Sequence, residues 1–391
     1  MPRGGSRCRS FPVLAHSAVS GSPGRGVPRP SRRKWFDTEA ERGQGGPMVP
    51  NVVLVTGVSR FLGAHLAGRL AEHPGVGRVL GVDSERPRRE LSRRMGAAEF
   101  VRADIRNPLI TRIISEAAVD TVVHAAGNSD EMPAARAAMK EMNVLGTMRL
   151  LAACQESPHM RKLVVKSTSA VYGASPRDPA VFDEEMVPKD LPSSGYAKDA
   201  VEVEGYVRGF GRRRPDVDVT LLRFTDLIGP RIDSVLTRYF SLPVVPTVFG
   251  RDARLQLLHP EDALAVLRRA TLEDHPGVFN VGADGVLMLE QAIRRAGRVP
   301  VPIPGTVVSP LAGFFRGANL ASLSAEQMRF LNFGRVVDTA RLRERFGFVP
   351  RWTTRQAFDD FVHGRELRPV IDPEVVEAAE REINRTITRL R

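Results

Sequence analysis

From residue 51 onward the apolar positions follow two rhythms. Compact runs of β-branched and aliphatic residues alternate with longer stretches in which apolar side chains recur at helical spacing. The runs predict strands near 51–56, 79–83, 98–103, 120–125, 162–167 and 219–224. The stretches between them, including Asn143–Cys154 and Tyr196–Arg212, predict helices. Strand and helix in alternation predict an α/β fold built on a doubly wound parallel sheet. Past 225 the rhythm turns irregular, with short strands at Thr247–Phe249 and Val278–Val281 and scattered prolines. Near the end, Val376, Ala379, Ile383, Ile387 and Leu390 share one stripe, so Pro373–Arg391 predicts an amphipathic helix.

Residues 1–48 are rich in Gly, Pro, Ser and Arg and carry no periodicity. They predict a disordered basic tail. Alternatively the start is misassigned, because Met48 stands just before the first strand. Phe11 to Val19 is too broken by Pro12, His16 and Ser17 to read as a signal-peptide core, and no apolar segment follows Ser31-Arg32-Arg33.

Charge and cysteine content narrow the function classes. The net charge is +12 in 391 residues, but nine basic against three acidic side chains place half of it in 1–48. Arginine outnumbers lysine 51 to 6, which is no lysine-rich binding face. No specific nucleic-acid partner is expected. No apolar run reaches the ~20 residues of a membrane span. Cys8 and Cys154 are the only cysteines, so no disulfide framework and no cysteine metal site are expected, and a reducing cytoplasm fits.

The candidate chemistry begins at Asn51-Val52-Val53-Leu54-Val55-Thr56-Gly57, followed by Val58-Ser59-Arg60-Phe61-Leu62-Gly63. A strand, a glycine turn and a helix in that order make a phosphate site, because the helix N-terminus offers unpaired N–H groups and a partial positive charge. Gly57 makes the tight turn and Gly63 lets helix and strand approach. Arg60, Phe61 and Leu62 lie between the glycines against the cofactor. Asp83 ends the second strand, 26 residues beyond Gly57, where a carboxylate accepts bonds from ribose hydroxyls and repels the extra phosphate of NADP. Arg60 pulls toward NADP and Asp83 toward NAD; NAD is the expected cofactor. Asp104 and Ile105 end the third strand and are placed to hold adenine. Ala125 and Ala126 end the fourth, where small residues admit a flat ligand. His124, just before them, reads as a strand-end packing residue.

Together with Lys166-Ser167-Thr168-Ser169-Ala170-Val171-Tyr172-Gly173 and Ser194-Gly195-Tyr196-Ala197-Lys198-Asp199-Ala200, these motifs carry a resemblance. The chain resembles the extended short-chain dehydrogenase/reductases, in the NAD-dependent epimerase/dehydratase group, over about residues 50–365. Within that group it is similar to UDP-glucose 4-epimerase-like proteins of actinobacteria. The resemblance implies a Rossmann domain at 49–225, a mainly substrate-binding portion at 226–365 with returns to the sheet, and a C-terminal helix at 366–391. It implies Tyr196 as general acid/base, Thr168 as the hydroxyl that holds the reacting oxygen, and Asn143 on the cofactor side. It also implies a homodimer through the helices holding Asn143 and Tyr196.

Four positions depart from the group's pattern. The lysine expected four residues after the tyrosine, on the same helix face, is Ala200. Lys198 lies about 200° around the helix and is expected to pair with Glu202. Asp226 stands where sugar-nucleotide enzymes carry asparagine, and Leu255 where they often carry arginine, with Arg254 beside it. Arg60 replaces a loop glycine. The first expectation is an NAD-dependent oxidoreductase or epimerase acting on a small molecule, with a UDP-sugar as default and Thr168 and Asp226 facing it. A dehydrogenase of a less charged alcohol or ketone is the second. A catalytically impaired NAD-binding sensor or interaction protein is the third.

Overall fold

The computed structural model describes residues 49–126, 136–187, 192, 195–304 and 325–370. The tail 1–48, Gly127, Ser194 and the helix expected at Pro373–Arg391 lie outside the described residues. Seven parallel strands form the main sheet: β1 (Val52–Thr56), β2 (Arg78–Asp83), β3 (Glu99–Arg102), β4 (Thr121–His124), β5 (Lys162–Thr168), β6 (Asp218–Phe224) and β7 (Gly277–Val281). Their order is β7-β6-β5-β4-β1-β2-β3. This is the Rossmann arrangement, and the order reverses between β1 and β4, where a crevice opens beyond the strand ends. All five residues of β1 are buried, as its unbroken apolar run requires of a central strand covered on both faces.

Helices cover both faces. Helix α1 (Phe61–Ala71) packs with Pro260–Leu272 on one side. Leu109–Glu116, Gly146–Glu156 and α2 (Gly195–Arg213) pack in succession on the other. Val53, Val55, Leu66, Leu70, Val123, Leu264 and Phe279 belong to the core under α1.

Two expected elements change character. Val278–Val281, expected as a short strand, belongs to β7 at the edge of the main sheet and pairs with Leu221–Phe224. Thr247–Phe249 begins earlier, as Val244–Val248, in parallel with Val299–Ile303. A second core gathers Ile228, Tyr239, Phe240, Leu255, Ile293, Phe330, Phe358 and Phe361. Short strands lie above it. Arg254–Leu255 pairs with Leu287–Met288 on one side and with Gly334–Arg335 on the other. No described helix is long and apolar enough to cross a membrane.

The glycine turn is sterically compulsory. Gly57 has φ +79°, and a Cβ there would stand 2.9 Å from the Ala126 backbone. A Cβ on Gly63 would stand 2.3 Å from the Gly57 carbonyl oxygen. Gly63→Ala is therefore expected to push α1 off β1 and cost about 1–3 kcal/mol in urea unfolding. An unchanged midpoint would show that the helix approaches less closely.

Candidate active site

The turn after β1 presents the N-terminus of α1. No side chain caps it and no acidic residue occupies its first turn, which leaves the positive end of the helix open to an anion. Arg60 sits at φ −110° and ψ 160°, ordinary extended backbone, so replacing the usual glycine stores no strain there. Its backbone N–H donates to the Gly57 carbonyl at 3.1 Å. Asp83 is oriented from the same loop: Ser59 N–H donates to Oδ2 at 2.9 Å and Glu85 N–H to Oδ1 at 3.3 Å. Asp104 is gripped by its neighbour Arg106, whose Nη2 donates to Oδ2 at 2.6 Å. That bond holds the Asp104 carboxyl below the usual range. Ile105 is buried against Gly146, where an added Cβ would meet its Cδ1 at 2.8 Å.

Beyond β4, the imidazole of His124 is locked between two threonines. Thr147 Oγ1 donates to the Asn143 carbonyl at 2.5 Å, so it must accept from His124 Nε2–H at 3.0 Å. Nδ1 then accepts from Thr56 Oγ1 at 2.8 Å. Burial, aided by the charge of Lys166, pushes this histidine down to about 4. His124 is a neutral brace, as a strand-end packing residue should be. The helix expected from Asn143 is wider there: Glu141–Leu145 forms a π turn before Gly146–Glu156 continues as α-helix. Such turns often mark functional sites.

A cavity of about 280 Å³ opens where these ends converge. Of the sequence-predicted residues, Arg60, Phe61, Leu62, Ala125, Thr168, Tyr196 and Asp226 line it. A smaller cavity of about 40 Å³ lies beside Ala200 and is lined by Ala126, Asn143 and Tyr196 among others. Gly57, Gly63, Asp83, Asp104 and Ile105 line neither and stand along the first three strand ends.

Thr168 ends β5 and accepts from Ala170 N–H at 3.1 Å, which fixes its hydroxyl at the mouth of the strand. Tyr196 lies in the first turn of α2, half-buried. Burial raises its phenol above the ordinary value, and the carboxylates of Asp226 and Asp199 raise it further. Asp226 is itself raised by burial, against the opposing charge of Arg335. Glu202 meets Lys140 at 3.8 Å rather than the expected Lys198.

Sequence reasoning missed several lining residues, among them Lys166, Asp199 and Arg335. Lys166 precedes Thr168 by two on β5, and strand periodicity puts both on one face, a signal that was legible. Asp199 follows Tyr196 by three and is fully buried. Arg335 had no local signal. It arrives through strand pairing, in register with Leu255, the position where the resemblance implied an arginine.

Beneath the site lies a buried ion pair. Arg223 donates through Nη2 to Glu204 Oε2 at 2.6 Å and through Nε to Oε1 at 2.9 Å, with the side chains 7% and 1% exposed. Glu204 also accepts from Ser167 Oγ at 2.7 Å, and Arg223 Nη1 donates to Tyr172 Oη at 2.7 Å. Tyr172 passes its own proton to Asn280 Oδ1 at 2.8 Å. Arg223→Met leaves the buried Glu204 carboxylate only Arg208, at 3.2 Å, and Ser167, and is expected to cost about 3–5 kcal/mol in denaturant unfolding. The double change with Glu204→Gln should cost less than Arg223→Met alone; a purely additive result would show that the two charges do not depend on each other.

The comparisons with known proteins agree with this geometry. The family model described as NAD dependent epimerase/dehydratase family matches residues 53–282. An uncharacterized protein of Mycobacterium tuberculosis is 53% identical over 335 residues, which cover 85% of this chain and 89% of that protein. A Thermotoga maritima UDP-glucose 4-epimerase, solved with UDP-glucose, matches with TM-score 0.63 at 19% identity over 81% of this chain and 98% of its own. Thermus thermophilus UDP-glucose 4-epimerase, solved with NAD, matches with TM-score 0.62 at 22% identity over 81% and 99%. At these identities the two structural likenesses show the fold.

Proposed function

The chain belongs to the NAD-dependent epimerase/dehydratase family, and from that premise we propose that it is an NAD-dependent oxidoreductase or epimerase of a nucleotide sugar. The observation that carries the reading is one cavity in which a tyrosine, a threonine and an excess of cations converge at the switch point. Arg60, Lys166, Arg231, Arg329 and Arg335 line it against Asp226, Asp233 and Glu326. A cavity so charged favours an anionic ligand.

The residues present fit a dinucleotide. Gly57 leaves room for a backbone that no Cβ could share, and α1 offers an uncapped N-terminus to a pyrophosphate. The Asp83 carboxylate, held by Ser59, suits ribose hydroxyls and disfavours the additional phosphate of NADP. When bound, the nicotinamide would accept hydride from a carbinol carbon or deliver it to a carbonyl carbon.

The chain's own part is the proton. Thr168 Oγ1 holds the reacting oxygen. In reduction, Tyr196 Oη–H gives its proton to the oxygen as the carbonyl becomes an alcohol. In oxidation, the substrate O–H bond breaks and its proton passes to the Tyr196 phenolate. Burial, Asp226 and Asp199 all keep Tyr196 protonated, which suits the reductive step at neutral pH.

Asp226 alone would repel a diphosphate. Arg335 answers it: the guanidinium is 8% exposed, lies 5.1 Å from the centre of the Phe330 ring, and keeps Nε and Nη1 without hydrogen-bond partners among the described residues. A planar fork of unsatisfied donors suits phosphate oxygens. One observation favours the second reading, a dinucleotide-binding protein with little turnover: both Asp199 and Asp226 oppose the phenolate.

Thermal shift and calorimetry with NAD, NADP, UDP and UDP-glucose test these readings. NAD should stabilise the protein more than NADP. Arg335→Gln should weaken UDP binding about ten- to a hundredfold, the worth of a charged hydrogen bond, and leave NAD binding unchanged. No response to either dinucleotide would overturn the cofactor reading. NAD-dependent stabilisation without turnover of any nucleotide sugar would favour the second reading.

The homodimer implied by the resemblance belongs to the same proposal. Leu145, Met148 and Tyr206 are exposed on the helices that hold Asn143 and Tyr196, and support an interface there. Light scattering should give twice the chain mass, and Tyr206→Glu should reduce it to that of one chain. A wild-type mass of one chain would refute the assembly.

A further inference from the structure

We propose that Lys166 takes over, from strand β5, the role of the lysine that is absent at position 200: it positions charge under Tyr196 and stabilises its phenolate. The inference rests on the reading of Tyr196 as the proton-transfer residue.

Three observations carry it. First, Ala200 leaves a cavity of about 40 Å³, and Lys166, Tyr196 and Ala200 all line it. Lys166 and Tyr196 also both line the larger cavity, and no other lysine among the described residues lines either one. Second, Lys166 stands two residues before Thr168, so one strand face delivers the ammonium and the oxygen-binding hydroxyl together. Third, no hydrogen bond or ion pair among the described residues engages its amine. A half-buried ammonium without a partner is costly unless something in the site uses it.

The remaining charges around this point are known. Asp199 comes from α2, Asp226 from the loop after β6, and Glu326 from Ala325–Phe333. Asp233 faces the cavity from the segment before Val235–Ser241. Arg60, Arg231, Arg329 and Arg335 supply positive charge, and His124 is neutral. Burial and the neighbouring Arg60 lower Lys166 to about 8. In the proposed pair the phenol and the ammonium titrate together. Removing one proton from the pair yields either amine with phenol or ammonium with phenolate, and only the second is competent for oxidation.

The proton inventory gives the test. In the wild type, alcohol oxidation should rise with pH and level off near pH 8, where the pair loses its first proton. Lys166→Met should lower the rate at pH 7 by about a hundredfold or more. Its profile should climb past pH 10 without levelling, as expected of a tyrosine with no cation beneath it. Lys166→Arg should restore part of the rate. Lys166→Met combined with Ala200→Lys should restore the plateau, because it returns the charge to the helix.

A second readout needs no turnover. The chain has four tyrosines, and subtracting the Tyr196→Phe spectrum isolates the phenolate absorbance of Tyr196 during a pH titration. That phenolate should form at lower pH in the wild type than in Lys166→Met. A rate loss with an unchanged pH profile, or a Tyr196 titration indifferent to Lys166→Met, would overturn the proposal. NAD-induced stabilisation of each variant separates these outcomes from failure of the cofactor reading, which would show as no NAD response in the wild type.

Discussion

The site rests on the buried pair of Glu204 and Arg223. These charges belong to α2 and β6, and Ser167 of β5 hydrogen-bonds into the same carboxylate. Two strands and a helix are thereby fixed at one point. Ser167 anchors the strand between Lys166 and Thr168, and Glu204 anchors the helix whose first turn carries Tyr196. Arg223 makes the two shortest charged bonds to Glu204, and Arg208 adds a third at 3.2 Å, so the arrangement has little freedom to slide. The same guanidinium reaches Tyr172, which in turn reaches Asn280 of β7. One continuous network therefore holds the floor of the cavity while its rim remains loops and strand ends.

Above this floor the electrostatics differ from the pattern the sequence resembles. Neither the lysine expected four residues after Tyr196 nor the arginine expected at 255 is present. Each absence has a neighbour. Lys166 lines the space beside Ala200, and Arg335 lies in register with Leu255. The carboxylates of Asp199 and Asp226 are added, and both bear on Tyr196. The cavity keeps an excess of positive charge but delivers it from other backbone positions.

Much of this architecture was legible in the chain. The six strands before residue 225 announce themselves by apolar runs, and Gly57 and Gly63 by their place between strand and helix. Tyr196, Thr168 and Asp226, singled out by the resemblance, line one cavity. What was not legible depends on contacts far apart in sequence. Val278–Val281 looks like a stray strand until Leu221–Phe224 pairs with it. Arg335 looks like a surface residue in an unremarkable segment until Gly334–Arg335 lies down beside Arg254–Leu255. The Nε2–H donor role of His124 follows from Thr147, whose hydroxyl is already committed to the Asn143 carbonyl, and its neutral state from burial. Local rhythm specifies elements; register decides which charges meet.

The small cavity beside Ala200 also constrains descent. Lys166 already lines this space of about 40 Å³, so a lysine at position 200 would set a second like charge beside it. A lineage that moves its lysine from helix to strand must therefore pass through a form with two like charges in contact or with none. The two positions cannot be exchanged by independent steps, and the effect of a residue at one depends on what occupies the other. If Lys166 acts as proposed, an inventory of sequences by their helix motif alone would miss the charge that replaces the helix lysine.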